Sequence, residues 1–547
     1  MQFRTGRLEQ VRQAEWAVCL GATLAAIGLH VIYLTHAGGL WRDEVTSIRV
    51  ATSATVGEMW RMLVCESFPV LFHTLLRCWW AIGLGDSDLG FRWLGFLIAV
   101  ALFGAVWLNA RVLRSSLPLV SLGLLASNLT LVRWGDSLRA YGLGCFLILL
   151  TLALVWRLTR APSTARFIAA TLAAVLSVQC LYQNAFLVFA ICIAGCFICF
   201  RRRQDRTALI LAGVGAVAAA SLLPYLGLIT RSQQSFIVIR IGLDAGLVWS
   251  NFCEALGTPM AWQTVIWLGL CVVASVRGLW FLRPSRGRRR ISAEDVPFFC
   301  AITLTFGLLS FLLFVAIARL PTQPWYWLPP MVVAAVCIDA TLGSWLERYW
   351  GWRLALVGLM AFVPLITGIR LAQYRQTNID LIAARLREQA KPNDLILVYP
   401  WFCGVTFNHY YTGATPWTTL PALADLRVHR YDLLKERLAA TAPIKPVLDQ
   451  IARTLASGNR LWIVGELPAP ESGETAPPDL PPAPETQYGW ADMPYSYVWG
   501  RQTEHFIAAH GGRTEVVPIG SGDGVSIYEK SSLAVVKGWA LTSEPVR

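Results

Sequence analysis

Long apolar stretches broken by short charged gaps dominate the first two thirds of this chain. Runs of about 18 or more apolar residues, enough to cross a hydrocarbon layer, occur near 12–37, 89–110, 116–133, 140–157, 167–183, 185–200, 207–229, 262–282, 296–318, 325–345 and 352–371. That predicts about 11 membrane-crossing helices. No small-residue cleavage site follows the first run, so it is expected to be a retained span. Two stretches, 45–64 and 70–84, are rich in Leu and Trp but interrupted by charge and by His73, which suits short helices lying at the membrane surface.

Beyond residue 372 the pattern changes to alternating helix and strand. Apolar positions Ile379, Ile382, Ala383 and Leu386 share one helical face, with Asn378 as the cap. Leu395 to Tyr399 reads as a buried strand, 443–456 as a helix ending at Gly458, and Leu461 to Val464 as a second strand. A proline-rich loop over 468–484 leads to a helix over 498–509. Segments 514–519 and 525–529 form a terminal strand pair, joined through the turn-prone Ser521-Gly522-Asp523-Gly524. The expected division is a transmembrane domain over 1–372, with a first outer loop at 38–88, and an extracytoplasmic α/β domain over 373–547.

Composition agrees: of 547 residues, 55% are hydrophobic and only 15% charged, against about 25% charged in soluble proteins. The net charge of +13 does not indicate nucleic acid, because the arginines fall in short gaps between apolar runs. Arg111 and Arg114, Arg157 to Arg166, Arg201 to Arg206, Arg283 to Arg290, and Arg348 with Arg353 all lie on one side if the basic N-terminus is cytoplasmic. An integral membrane protein, expected in a bacterial inner membrane with its C-terminal domain periplasmic, follows. The 13 cysteines lie mostly within apolar runs, where Cys196 and Cys199 read as packing residues.

The chemistry is expected on the outer side. The 38–88 gap is net acidic, and Gly39-Leu40-Trp41-Arg42-Asp43-Glu44-Val45-Thr46 places two carboxylates just beyond the first span. The tip Arg133-Trp134-Gly135-Asp136-Ser137-Leu138-Arg139-Ala140-Tyr141 adds one carboxylate and two guanidiniums. A further tip lies at Tyr182-Gln183-Asn184.

The Asp-Glu pair resembles a known family when read with Ser67-Phe68-Pro69-Val70-Leu71-Phe72-His73-Thr74-Leu75-Leu76 and Gly85-Asp86-Ser87-Asp88-Leu89-Gly90-Phe91-Arg92. It is similar to the GT-C glycosyltransferases, in the branch of protein O-mannosyltransferases and the lipid A aminoarabinose transferase. The resemblance implies inverting transfer of a sugar from a polyprenyl-phosphate donor to a lipid, glycan or protein acceptor at the outer face. Asp43 matches the family's first acidic residue and is the implied general base, with Glu44 and Asp136 as further catalytic candidates. Arg42, Arg133, Arg139 and Arg319 are the candidates for the donor phosphate; Tyr141, His73 and Tyr326 are those for the substrate pocket. Two features depart from the family: Ser67-Phe68-Pro69 replaces a His-Pro-Pro, and Trp325-Tyr326-Trp327-Leu328-Pro329 lacks an arginine that Arg319 would replace.

Each candidate has a structural alternative. Asp43 and Glu44 suit a helix start. Asp136 suits a salt bridge to Arg133 or Arg139, and Arg319 a snorkelling boundary residue. Asp86-Ser87-Asp88 reads as the cap of the second span rather than a metal site, His73 and His409 as packed or surface histidines, and Asp339 as either functional or packing. No cofactor is specified, a divalent cation is left open, and no glycine-rich phosphate loop is present. A transporter, or a non-catalytic lipid-binding membrane protein, is the alternative function. The transporter reading needs midplane charges and related halves, which are not evident.

Overall fold

The computed structural model describes residues 2–114, 116–234, 244–257, 261–280, 291–318, 322–469, 478–480, 492–510, 512–520, 522 and 524–540. The chain divides into two compact units. One comprises residues 1–35, 67–227 and 243–373, the other residues 36–66, 228–242 and 374–547. The first outer loop is therefore split: residues 36–66 group with the C-terminal part instead of with the spans, which differs from the expected 1–372 and 373–547.

The first unit is a polytopic helical membrane protein. Among the described residues, nine helices are long and apolar enough to cross a membrane, including Glu9–His36, Asp88–Arg114, Tyr141–Arg160, Asn184–Arg201 and Ala293–Ile317. Two of the expected spans differ. Thr164–Cys180 is a shorter apolar helix. The 116–133 run folds as two seven-residue helices, Leu119–Leu125 and Leu129–Gly135. The break falls at Asn128, whose side chain accepts the Leu131 N–H at 2.8 Å and restarts the helix as its cap. Asp339 within the eighth of these long helices accepts the Ser121 N–H at 3.1 Å and the Ser121 hydroxyl at 2.9 Å. Ser87, not an aspartate, caps the second span, taking the Gly90 N–H at 3.1 Å.

The second unit is built on a five-stranded mixed sheet. Its strands are β1 (Leu395–Val398), β2 (Trp417–Thr419), β3 (Leu461–Val464), β4 (Arg513–Val517) and β5 (Leu533–Lys537), in the order β2-β1-β3-β5-β4. β1 pairs in parallel with β2 and β3, while β3–β5 and β5–β4 are antiparallel. Side chains alternate between faces, and both faces are covered over β1 and β3, whereas the edge strand β4 is exposed. Leu395, Leu397, Leu461 and Ile463 pack with Ile451, Leu455 and Trp499. Ile396, Val398, Trp462 and Val464 pack with Ile379, Ile382, Leu386 and Phe407. Burial on both sides is why β1 and β3 read as unbroken apolar runs. Gly465, just after β3, has φ of +104°, and a Cβ there would lie 1.7 Å from the Tyr399 carbonyl oxygen.

The expected terminal pair is corrected. β4 pairs with 533–537, and residues 525–529 contribute only an isolated bridge between Val525 and Arg375. The turn at 521–524 lies partly outside the described residues. Asn378 holds the N-cap position but exchanges hydrogen bonds with the Ser531 backbone at 2.7 and 2.9 Å; Thr377 Oγ1 takes the Ile379 N–H. The helices Cys403–Tyr410 and Tyr431–Leu438 were not expected from the sequence.

Candidate active site

Gly38, with φ of +66°, turns the chain out of the first span; a β-carbon would be strained there. Trp41 then takes an extended conformation and Arg42–Ala51 forms a helix with Asp43 and Glu44 in its first turn and Arg49 in its last, matching the helix dipole at both ends.

The two adjacent carboxylates have different surroundings. Glu44 is fully buried, and its Oε2 reaches back to accept the Trp41 N–H at 3.4 Å, so it caps the helix. The Asp43 side chain remains 25% exposed, with His429 Nε2 3.9 Å and Arg42 Nε 4.0 Å from its Oδ1.

Arg42 is tightly held. Its Nη1 donates to the Tyr528 carbonyl at 2.7 Å and lies 3.6 Å from Glu529, and its guanidinium stacks 4.5 Å from the Phe402 ring centroid. Burial acts to lower this guanidinium, but Glu529 and Asp43 hold it above its ordinary value. Glu529 is itself buried and accepts the Thr406 hydroxyl at 2.9 and 3.0 Å and the Arg42 N–H at 3.3 Å. Burial raises its carboxyl to about 7 against the pull of Arg42.

The remaining described candidates belong to the first unit. Asp136 is buried, and its partner is His30, whose Nδ1 lies 2.7 Å away, instead of the expected Arg133 or Arg139. The Arg139 guanidinium sits 4.4 Å over the Phe68 ring. Tyr141 meets the same ring edge-on at 5.2 Å, Tyr326 at 6.0 Å and Trp325 at 6.5 Å. Sequence reasoning separated these residues by almost 260 positions; the fold gathers Tyr141, Tyr326 and Arg139 around Phe68 and Trp325. His73 is buried on the Val70–Ala81 helix beside Phe72. Arg133 is half-buried, and Arg319 lies outside the described residues. In the second unit, His409 Nδ1 is 3.4 Å from Arg49 Nη2.

Sequence reasoning missed His429, Glu529, Thr406 and His30. None lies in a recognisable motif, and Glu529 was placed in a strand that does not form. Among the described residues, no group of three or more His, Cys, Asp or Glu is gathered to hold a metal ion. What the second unit offers chemically is a partly exposed carboxylate flanked by an imidazole and a fixed guanidinium, which suits proton abstraction.

No protein-family model and no curated protein matches this sequence. Among solved structures, the chain is similar to ArnT from Cupriavidus metallidurans bound to undecaprenyl phosphate, with 10% identity, coverage of 81% of this chain and 92% of that one, and a TM-score of 0.49. It is also similar to the oligosaccharyltransferase of Archaeoglobus fulgidus in complex with Zn and sulfate, at 11% identity, 82% and 68% coverage, and a TM-score of 0.46. A third is AglB from the same organism, in complex with an inhibitory peptide and a dolichol-phosphate, at 10% identity, 82% and 69% coverage, and a TM-score of 0.47.

Proposed function

We propose that this chain is a membrane glycosyltransferase. It moves a sugar from a polyprenyl-phosphate donor to an acceptor hydroxyl at the outer face of the membrane, with inversion at C1 and Asp43 as general base. The observation that carries this reading is the division of labour in the Asp-Glu pair. Glu44 is consumed by the fold, whereas its neighbour Asp43 stays partly exposed at the start of a helix that Glu44 fixes in place. A carboxylate kept at the surface by a buried cap is placed for chemistry.

In the proposed reaction, the acceptor hydroxyl gives its proton to Asp43 as its oxygen attacks C1, and the C1–O bond to the phosphate breaks with its electron pair leaving on phosphate. Charge then builds on the leaving phosphate, and fixed guanidiniums stabilise it. Arg42, held by the Tyr528 carbonyl beside Glu529, is proposed for that role. Asp136 is proposed to hold its hairpin tip through His30. The arginine-rich gaps support an N-terminus in the cytoplasm, with the 38–88 loop and residues 373–547 on the outer side of a bacterial inner membrane.

The test is transfer of label from polyprenyl-phosphate sugars to lipid or protein fractions of membranes containing the protein. Asp43→Asn is expected to cut transfer by about 10²- to 10⁴-fold. The Asp43 ion pairs are partly exposed, so stability changes by less than about 1 kcal/mol. Undiminished transfer by the Asn variant rules out the base.

A further inference from the structure

The carboxyl beside Arg42 arrives from the far end of the chain. Residues 524–531 are stitched along 375–378: the Arg375 N–H donates to the Gly524 carbonyl at 2.8 Å, the Ser526 N–H to the Arg375 carbonyl at 2.9 Å, and the Ser531 N–H to Asn378 Oδ1 at 2.9 Å. That course brings Tyr528 and Glu529 to the start of the Arg42–Ala51 helix. The Tyr528 carbonyl accepts from Arg42 Nη1 at 2.7 Å, and a Glu529 oxygen accepts the Arg42 backbone N–H at 3.3 Å. The Glu529 side chain is 0% exposed, so water screens little of its field at Arg42.

The surroundings of Glu529 accommodate both of its protonation states. Thr406 Oγ1 lies 2.9 and 3.0 Å from its two oxygens. A hydroxyl both donates and accepts, so Thr406 shares its proton between the oxygens of a carboxylate, or donates to one oxygen of the acid and accepts the acid proton from the other. From the same helix, Cys403–Tyr410, the Cys403 thiol faces Glu529, pushed up by burial to about 12 and therefore neutral. The Thr377 hydroxyl adds an uncharged contact, and Arg42 is the cation facing the carboxyl. Asp43, Tyr431 and Asp492, the last also raised by burial, face Arg42 in turn. Burial holds Glu529 at about 7, so both forms are populated near neutral pH.

The two forms present Arg42 differently to an anion. With Glu529 ionised, one guanidinium lies between two carboxylates, Glu529 3.6 Å from Nη1 and Asp43 4.0 Å from Nε, and the trio is net negative. With Glu529 neutral, the pull of Arg42 on a phosphate is opposed by Asp43 alone. We propose that Glu529 is the positioning residue that sets the hold of Arg42 on the donor phosphate: the neutral acid is the donor-bound form, and binding of a polyprenyl-phosphate sugar is accompanied by uptake of a proton from water onto the Glu529 carboxylate. This rests on Arg42 binding that phosphate. The proton raises donor affinity by the same factor as the donor raises proton affinity. Donor affinity is therefore full below the titration of Glu529 and falls as pH rises through it.

The experiment uses the full chain in membranes, with the labelled polyprenyl-phosphate sugar that the wild type transfers; kcat and donor KM are measured from about pH 5.5 to about pH 8.5 for the wild type, Glu529→Gln, Thr406→Val and Arg42→Gln. The donor is a phosphodiester whose charge does not titrate over this range, so a change in its KM reports on the protein. Wild-type donor KM is expected to rise about tenfold from the acid to the alkaline end, while kcat follows its own profile, set by the base. Glu529→Gln is a fixed neutral mimic of the acid: its donor KM stays within about threefold throughout and lies about tenfold below the wild type at the alkaline end. Thr406→Val removes a hydrogen bond that favours the ionised carboxylate; it moves the break in donor KM to higher pH, and carries the test if Glu529→Gln does not fold. A flat wild-type profile, parallel wild-type and Gln profiles, or a break that stays in place in Thr406→Val overturns the proposal. Wild-type donor KM in Arg42→Gln overturns the phosphate role of Arg42 and this inference with it, whereas a raised KM in Arg42→Gln beside a flat wild-type profile overturns only the role of Glu529.

Discussion

Replacing Glu44 separates a structural carboxylate from a reactive one. Glu44 is fully buried and accepts the N–H of Trp41, itself only 2% exposed. Glu44→Ala removes a cap, worth about 1 kcal/mol, and orphans a buried N–H, worth about 1–3 kcal/mol. Relief of the buried carboxylate offsets part of this. The expected net loss is on the order of 2 kcal/mol, or roughly 4–8 °C in Tm for a unit of this size. Glu44→Gln keeps a carbonyl oxygen facing the Trp41 N–H and loses only the charge–dipole part, about 0.3–1 kcal/mol. Melting in detergent and label transfer in membranes are measured on the same preparations. Glu44→Gln should transfer within about threefold of wild type, far from the 10²-fold or greater loss expected for a missing general base. A Gln variant with wild-type Tm and no transfer would refute the reasoning, because Glu44 would then be the reacting carboxylate.

Three further outcomes are expected. Glu529 has a folded pKa of about 7, raised from 4.5 by burial. Its stabilising contribution is complete below about 4.5 and is lost as pH rises through about 7. The Tm of the wild type should therefore fall between pH 5 and pH 8 more steeply than that of Glu529→Gln, and parallel slopes would contradict this. Gly465→Ala sets a Cβ against the Tyr399 carbonyl at a positive φ and should cost about 3 kcal/mol or more, read as loss of the sheet unit's cooperative melting. Asp136→Ala leaves His30, 1% exposed, without its partner and should cost about 3 kcal/mol, checked by thermal melting of the purified protein.

Much of the secondary structure was legible because its cause is local. Unbroken apolar runs signal spans, and 3.6-residue periodicity signals the helices Ile379–Gln389 and Lys445–Ala456. The apolar runs of β1 and β3 were likewise readable. Local cause also limited the reading. Asn128 splits the 116–133 run by capping a new helix, a choice hydropathy does not register. Residues 525–529 look like a strand, yet Tyr528 and Glu529 meet Arg42, and residues 533–537 pair with β4 instead.

The candidate site divides along the same line. The sequence alone placed an Asp-Glu pair directly after the first span, because hydrophobic length and the start of a helix are properties of consecutive residues. Which carboxylate is buried and which stays exposed, and that His429, 386 positions beyond Asp43, comes within 3.9 Å of it, depended on contacts between segments far apart in the chain. Such contacts are selected by packing and by the cost of burying unpaired polar groups, and neither quantity is written in the order of the residues.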